Sequence, residues 1–554
     1  MSATHNKKMQ TKEQLIQLLC ELVNVKSITG TSDEVKMANT IVQKLAKLRY
    51  YQDYPEYLQL HPTGDGRYYV MALAKKENTK KTVVMVSHFD VVNVEDYGMW
   101  KEKAFQPEKI KELMRSRIEE YPKEVQEHLE SDDWLFGRGT MDMKAGLALQ
   151  MSLLEKATLG EFDGNLVLLA VPDEEVNSEG MRKAVPTLLR LAQQYDLEYE
   201  LILNSEPMFT QYPGDTNHYL YTGTIGKVMP GFLCYGKETH VGEPISGLNA
   251  NLMTSLITSE MELNTQFCET CGDQISPPPT NLIQKDIKLD YSVQIPHRAV
   301  TLFNLFIFEK SLESVVNELL TVGKRVANQI ESVYQQRANS YARLHGQEKS
   351  ERSVGVSVLT FEQLRNYAMQ TFGVTKVQEM EQKIYAEADL HLYGDRDLTI
   401  KIVDEYAILC KDLSPMIVLF FAPPYYPAVG DHDHPFVKLL TEDLKTYADE
   451  QHNIPLEKIR YYNGISDLSY VNLQEDLTSL GFYTNNVPVW DITYSIPIYE
   501  MKQLNVPVLN VGPVGRDPHQ QTERLNATYA FTTLKDMVEH LLDAAFDHSK
   551  EEDI

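Results

Sequence analysis

His88-Phe89-Asp90, then Asp142 in Gly137-Arg138-Gly139-Thr140-Met141-Asp142-Met143-Lys144-Ala145-Gly146, then Glu174-Glu175, Glu206 and finally His519 follow one another along this chain. Each stands at the end of an apolar run, where a strand would deliver a side chain to one rim of a sheet. Two divalent ions that share a carboxylate need about this inventory: two imidazoles, one bridging carboxylate, two terminal carboxylates and a free carboxylate to act as base. Taken singly, each residue has a plainer reading. A histidine at a strand end is ordinarily packed or solvated, and a Glu-Glu pair is ordinarily a charged surface. The ordered combination is what points to hydrolytic metal chemistry.

The elements that must hold these residues can be read from periodicity. Leu15, Leu18, Leu19, Leu22 and Val23 recur at helical spacing within a helical stretch predicted from Thr11 to Arg49. Tyr69–Leu73 and Thr82–Ser87 read as strands, the second ending at His88. Glu95–Asp133 is a long polar connection with a helical stretch near Glu108–Glu119. Gly146–Ala157 is predicted to be a helix just beyond Asp142, whose charged form a helix N-terminus favours. Asn165–Val171 is a strand ending at Asp173-Glu174-Glu175, Arg182–Gln194 a helix, and Glu200–Leu203 a strand ending at Glu206. Alternating strands and helices with the chemistry at strand ends predict an α/β domain.

The pattern then changes. Gly226–Tyr235 as strand, Asn249–Leu263 as helix, Leu282–Val293 and Val300–Glu309 as strands and Leu312–Tyr341 as a long helix spell a small helix-on-sheet α+β domain inserted in the first. Tyr341–Asp412 is charged, helical sequence whose place in the fold the pattern leaves open. Met416–Ala422, Lys458–Tyr462 and Val506–Val511 read as strands, Phe436–Glu450 as a helix, and Ala530–Phe546 as the last helix before a charged tail at Lys550–Asp553.

At 554 residues the chain exceeds one ordinary core, which predicts two or more domains. A net charge of −26 argues against nucleic acid and anionic membranes as partners. Met1–Gln17 lacks the apolar core of a signal peptide, and five cysteines make no disulfide framework, so a cytoplasmic setting is expected. Cys268-Glu269-Thr270-Cys271 has no second pair to complete a zinc site, and His432-Asp433-His434 sits among prolines as a solvated loop would.

Several longer runs carry a resemblance. Val86-Ser87-His88-Phe89-Asp90-Val91-Val92, Leu135 to Gly146, Pro172-Asp173-Glu174-Glu175, Asn204-Ser205-Glu206-Pro207, Thr239-His240 with Gly247-Leu248-Asn249-Ala250, and Gly512-Pro513 followed by His519 to Glu523 together resemble the acetylornithine deacetylase, succinyl-diaminopimelate desuccinylase and dipeptidase family of zinc metallohydrolases. The chain's size and its Glu95–Asp133 segment look like the arginine-utilisation (RocB-like) branch. The resemblance implies a zinc-peptidase-type α/β catalytic domain (1–221 and 428–554), with helices on both faces of a mixed sheet. It also implies an inserted ferredoxin-like lid or dimerisation domain (222–427), enlarged by the helical segment near 341–412.

The same resemblance implies roles. Asp142 would bridge two ions, His88 and Glu206 would complete one site, and Glu175 with His519 the other, zinc being expected and cobalt or manganese the alternatives. Asp90 would hold the far nitrogen of His88, Glu174 would be the base, and His240 would donate to the oxyanion. Asn304, Gly464 and Ser466 fall on runs that contact substrate in relatives. The implied reaction is cleavage of an amide or peptide bond in a small amino-acid-derived substrate, possible settings including arginine or ornithine catabolism. The alternative is a non-catalytic binding protein that keeps the cleft; it would be marked by a lost ligand or base, and none is lost. Relatives carry Phe-Asn-x-Arg where this chain has Phe303-Asn304-Leu305-Phe306, so a carboxylate-binding arginine is replaced by an apolar ring, and Arg298 or another basic residue would have to serve. Homodimer and monomer both remain open.

Overall fold

The computed structural model describes residues 7–288, 292–387 and 394–548, with the side chain of His548 excepted. The charged tail and part of the strand expected at Leu282–Val293 lie outside them. Two compact units emerge: Met1–Ile225 with Ala428–Leu473 and Ile496–Ile554, and Gly226–Pro427 with Gln474–Ser495. The division differs from the sequence reading at Gln474–Ser495. That stretch carries the helix Leu477–Thr484, which packs on the long helix of the second unit. Among the described residues, no helix is long and apolar enough to cross a membrane.

The first unit is built on an eight-stranded mixed sheet in the order Leu58–Pro62, Tyr68–Ala74, Asn165–Val171, Lys81–His88, Glu198–Asn204, Val508–Asn510, His218–Tyr221, Leu456–Ile459. Asn165–Val171, Lys81–His88, Glu198–Asn204 and Val508–Asn510 run parallel side by side. Every residue of Asn165–Val171 is buried, as a strand covered on both faces must be. Met85, Leu168 and Leu203 join one core with the helices Lys12–Val23, Lys144–Thr158 and Leu534–His548. Lys144–Thr158 is buried nearly all round, taking Gln150, Ser152 and Glu155 inside along with its apolar residues. The single helical stretch expected over Thr11–Arg49 is two helices, Lys12–Val23 and Asp33–Leu45, because Ile28 breaks off to pair with Val91 beside the site. Glu95–Asp133 holds two helices, Pro107–Arg115 and Lys123–Glu130, and leads into a small sheet of Gly515–Arg516, Arg524–Asn526 and Trp134–Phe136.

The second unit has a five-stranded sheet ordered Thr280–Asp286, Arg298–Ile307, Gly226–Tyr235, Met416–Tyr426, Ser357–Thr360, with helices Ala250–Met261 and Leu312–Leu344 packed on it. The first four strands are antiparallel and the fifth is parallel. The open segment Tyr341–Asp412 supplies that fifth strand and three helices, Phe361–Phe372, Val374–Glu387 and Asp395–Leu409; residues 388–393 of it lie outside the description. Asp395–Leu409 packs against the two central strands. All five cysteines are free thiols.

Candidate metal centre

The C-terminal ends of three adjacent parallel strands of the first unit carry His88, the Glu174-Glu175 pair and Glu206. Asp142 comes from the glycine-rich turn before the helix Lys144–Thr158, and its peptide bond to Met143 is cis. This helix approaches the Glu206 strand so closely that a Cβ on Gly146 would stand 2.5 Å from the Ser205 carbonyl oxygen. Glycine is required there by space, and the approach sets Asp142 beside Glu206. His519 rides on the hairpin between Gly515–Arg516 and Arg524–Asn526.

Two groups of donor atoms form around Asp142. His88 Nε2 lies 3.2 Å from Asp142 Oδ1 and 3.4 Å from Glu206 Oε1. His519 Nε2 lies 3.3 Å from Asp142 Oδ2 and 3.2 Å from Glu175 Oε1. Within each group the donors are all less than 4.8 Å apart. Nitrogen and oxygen ligands at 2.0–2.2 Å around a tetrahedral ion are separated by about 3.4 Å, so each group has the spacing of three corners of one such ion. The alternative, simple ion pairing, fails on charge. Asp142, Glu174, Glu175 and Glu206 are four carboxylates gathered about two imidazoles, with too few cations to balance them in a desolvated place.

The titration behaviour shows the same shortage of positive charge. Burial, together with the neighbouring acids, lifts Glu174 and Glu206 well above the usual carboxylate range, and Glu175 also moves up. Burial opposes charging His88, yet Glu206 and Asp142 outweigh it and drive the imidazole well above its ordinary value. His519 is likewise disfavoured by burial but lifted to about 11 by its bonds to Asp142 and Glu175. Asp142, despite its burial, is held far down by the two imidazoles. The donor set therefore fits divalent ions.

A second layer orients these groups. His88 Nδ1 meets the backbone carbonyl of Asp90 at 3.1 Å, with the Asp90 carboxylate at 3.5 Å. The expected carboxylate contact is thus the longer of the two. That carboxylate accepts from Thr29 Oγ1 at 2.8 Å and from the backbone N–H groups of Glu174 and Glu175 at 3.1 and 3.3 Å. Asp173, in left-handed backbone at φ 72, takes Arg67 Nη1 at 2.6 Å and the N–H of Glu179 at 3.0 Å. Buried Glu523 accepts from Arg138 Nη1 at 2.6 Å and from the N–H of Gly139 at 2.7 Å, pinning the turn that bears Asp142.

Sequence reading named neither Arg67 nor Glu523 as functional. Asp467 follows directly on Ser466. Asp467 is buried, and burial raises it to about 7, with His88 opposing and Asp90 adding to the rise.

Gly464 and Ser466 belong to the first unit. Ser466 is fully buried, and its Oγ accepts from Asn204 Nδ2 at 3.0 Å and from the N–H of Leu468 at 3.2 Å, so its bonds brace the strand that ends at Glu206. Gly464 lets the chain pass within 2.6 Å of the Tyr462 ring at the Cβ position. His240 and Asn304 belong to the second unit. His240 is exposed, and its Nδ1 accepts the N–H of Gly242 at 3.0 Å. Asn304 is buried opposite Thr280. Arg298 is committed to Asp404 at 2.5 Å. The residue that strand register sets opposite Phe306 is Lys227.

Residues 84–487 match the family described as Peptidase family M20/M25/M40. The chain is 45% identical over 541 residues to the uncharacterized protein YqjN of Bacillus subtilis, covering 98% of each chain. It is 29% identical over 562 residues to Protein RocB of the same organism, covering 98% of this chain and 97% of that one. Among solved structures, a tripeptidase from Staphylococcus aureus superposes with a TM-score of 0.52 over 97% of this chain and 100% of the other, at 12% identity, a likeness of fold.

Proposed function

Because the chain belongs to peptidase family M20/M25/M40 and is a metal-dependent hydrolase, we propose that it cleaves an amide or peptide bond in a small amino-acid-derived substrate with a pair of divalent ions. The observation that carries this reading is the division of Asp142, one oxygen facing His88 and the other facing His519. His88, Asp142 and Glu206 would hold one ion, and His519, Asp142 and Glu175 the other. Zinc suits imidazole with carboxylate, as do cobalt and manganese. Bound there, such ions supply the Lewis acidity that makes water nucleophilic at neutral pH and polarises a scissile carbonyl.

The remaining steps fall to side chains. Glu174 completes neither donor group, and its Oε2 stands 3.9 Å from His88 Nε2. Its buried carboxyl has a raised proton affinity, which suits a group that takes a proton from attacking water and gives it to the leaving amine. The backbone bonds from Glu174 and Glu175 to Asp90 keep base and ligand in fixed relation. His240, with Nδ1 occupied as an acceptor, presents Nε2–H when neutral, the donor needed by a carbonyl oxygen as charge gathers on it. The binding-protein alternative loses ground because every expected ligand and the base are present. The resemblance to RocB makes arginine- and ornithine-derived amides the first substrates to assay.

The test is metal content together with turnover on a panel of N-acyl amino acids and dipeptides, comparing the parent with Glu174→Gln. Two ions per chain with turnover lost only in the variant is the expected result. A parent with fewer than two ions, or a variant with parental turnover, defeats the proposal.

A further inference from the structure

We propose that the segment between Glu95 and Asp133 is a positioning device for His519, acting through His128, Arg524 and Asp517. This rests on the reading of His519 as a metal ligand.

Among the five expected ligands His519 is the most poorly packed, its side chain 48% exposed where His88 is 1%. Its ring is therefore placed by its backbone, which sits in the left-handed region at φ 62, with Asp517 likewise at φ 56. Such conformations persist in non-glycine residues only where the surroundings over-determine them.

The base of the hairpin supplies that restraint. The Asp517 carboxylate accepts from Thr522 Oγ1 at 2.6 Å and pairs with Arg524 Nη1, while the same Nη1 donates to the Thr522 carbonyl at 3.1 Å. Arg524 thus ties both ends of the loop that carries His519.

Arg524 is fully buried and is itself held by the segment in question. Its Nε donates to His128 Nδ1 at 2.7 Å, and Nη2 lies 3.5 Å from Glu124 Oε1. Both partners come from the helix Lys123–Glu130. The guanidinium lies over the Trp134 ring, on which His128 also stacks at 3.7 Å between centroids. Burial and the charge of Arg524 push His128 down to about 4, so at neutral pH it is the uncharged acceptor that this bond requires. Glu124 reaches Arg516 as well, on the opposite strand of the hairpin, at 3.4 Å. Beyond Trp134 the backbone pairs directly with Arg524–Asn526. The polar segment that sequence left without a role therefore ends in a socket for one arginine, and that arginine closes the loop bearing His519.

Groups that orient a ligand from outside the coordination sphere are worth about 10–100-fold in metal affinity. Zinc binding is measured on the metal-free full chain by competition with a chromophoric chelator, and cobalt binding by its visible spectrum. His128→Leu and Arg524→Met are each expected to weaken one of the two binding events by about 10–100-fold and leave the other unchanged. His128→Asn, which keeps an acceptor near the Nδ1 position, restores it, and Glu127→Ala on the exposed side of the same helix leaves both untouched.

Asp517→Asn guards against simple misfolding. It removes the charge without the bulk, and selective loss of the same ion, with faster amide exchange confined to 517–523, supports the device. Parental affinity for both ions in His128→Leu, Arg524→Met and Asp517→Asn overturns it, as does equal loss of both ions that His128→Asn does not rescue. A parent that binds fewer than two ions defeats the metal reading itself; a parent that binds two, with variants that match it, defeats this inference alone.

Discussion

The carboxylate of Asp90 accepts the backbone N–H of Glu174 at 3.1 Å and, through its other oxygen, that of Glu175 at 3.3 Å. One buried acid thereby sets both the proposed base and a proposed ligand while its own carbonyl orients His88. Asp90→Ala should reduce turnover about 10–100-fold, the range for groups that support a metal site from outside. Part of the loss should return with excess metal, because ligand and base are displaced together. Metal titration alongside kcat and KM checks it; loss confined to KM would contradict the geometry.

Glu174→Gln keeps the shape of the side chain and removes its ability to exchange a proton. We expect kcat to fall by about 10²–10⁴-fold with both ions retained, the usual contribution of a positioned general base. Metal analysis of the purified variant separates this from ligand loss.

Phe306 cannot pair with a carboxylate, and Arg298 is paired with Asp404; strand register sets Lys227 opposite Phe306, its ammonium 6.0 Å from the centroid of the Tyr426 ring. For substrates that carry a free carboxylate, Lys227→Met should raise KM about tenfold, roughly 1.4 kcal/mol of binding, with kcat little changed. Substrates with that carboxylate amidated should show no such difference.

Asp431 is buried, and burial raises it from 3.8 to about 6 against the opposing bond from the Val508 N–H. The folded protein thus holds this proton more tightly than the unfolded chain. The resulting stability is present below about pH 4 and is lost as pH rises through about 6, an effect on the order of 3 kcal/mol. Asp431→Asn can still accept from Val508 but does not titrate. Urea unfolding from pH 4.5 to 7.5 should show the variant gaining on the parent as pH rises, and a constant difference would refute the shift.

Three of the proposed ligands were legible in the sequence because each follows an apolar run, and strand ends converge on one rim whatever the loops do, whereas Asp142 stands in a glycine-rich turn and His519 on a hairpin. His88, Glu175 and Glu206 needed only the order of elements. The support around them was not legible, because it joins positions remote in sequence and of ordinary type. Nothing local marks His128 as the partner of Arg524, nearly four hundred residues later, or Arg67 as the partner of Asp173. Ser466 shows the converse. A resemblance placed it on a substrate-contacting run, yet its hydroxyl turns inward to Asn204. The fifth strand, Ser357–Thr360, escaped because four residues are too few for a period to declare itself.

Val508–Asn510 enters the large sheet between Glu198–Asn204 and His218–Tyr221, strands that precede it by about three hundred residues. A ribosome delivers the chain from its N-terminus, so Gly226–Pro427 is synthesised in full while the first sheet still lacks that strand. His519 emerges later still. A nascent chain therefore carries His88, Asp142, Glu174, Glu175 and Glu206 of the proposed centre roughly three hundred residues before the second proposed imidazole exists.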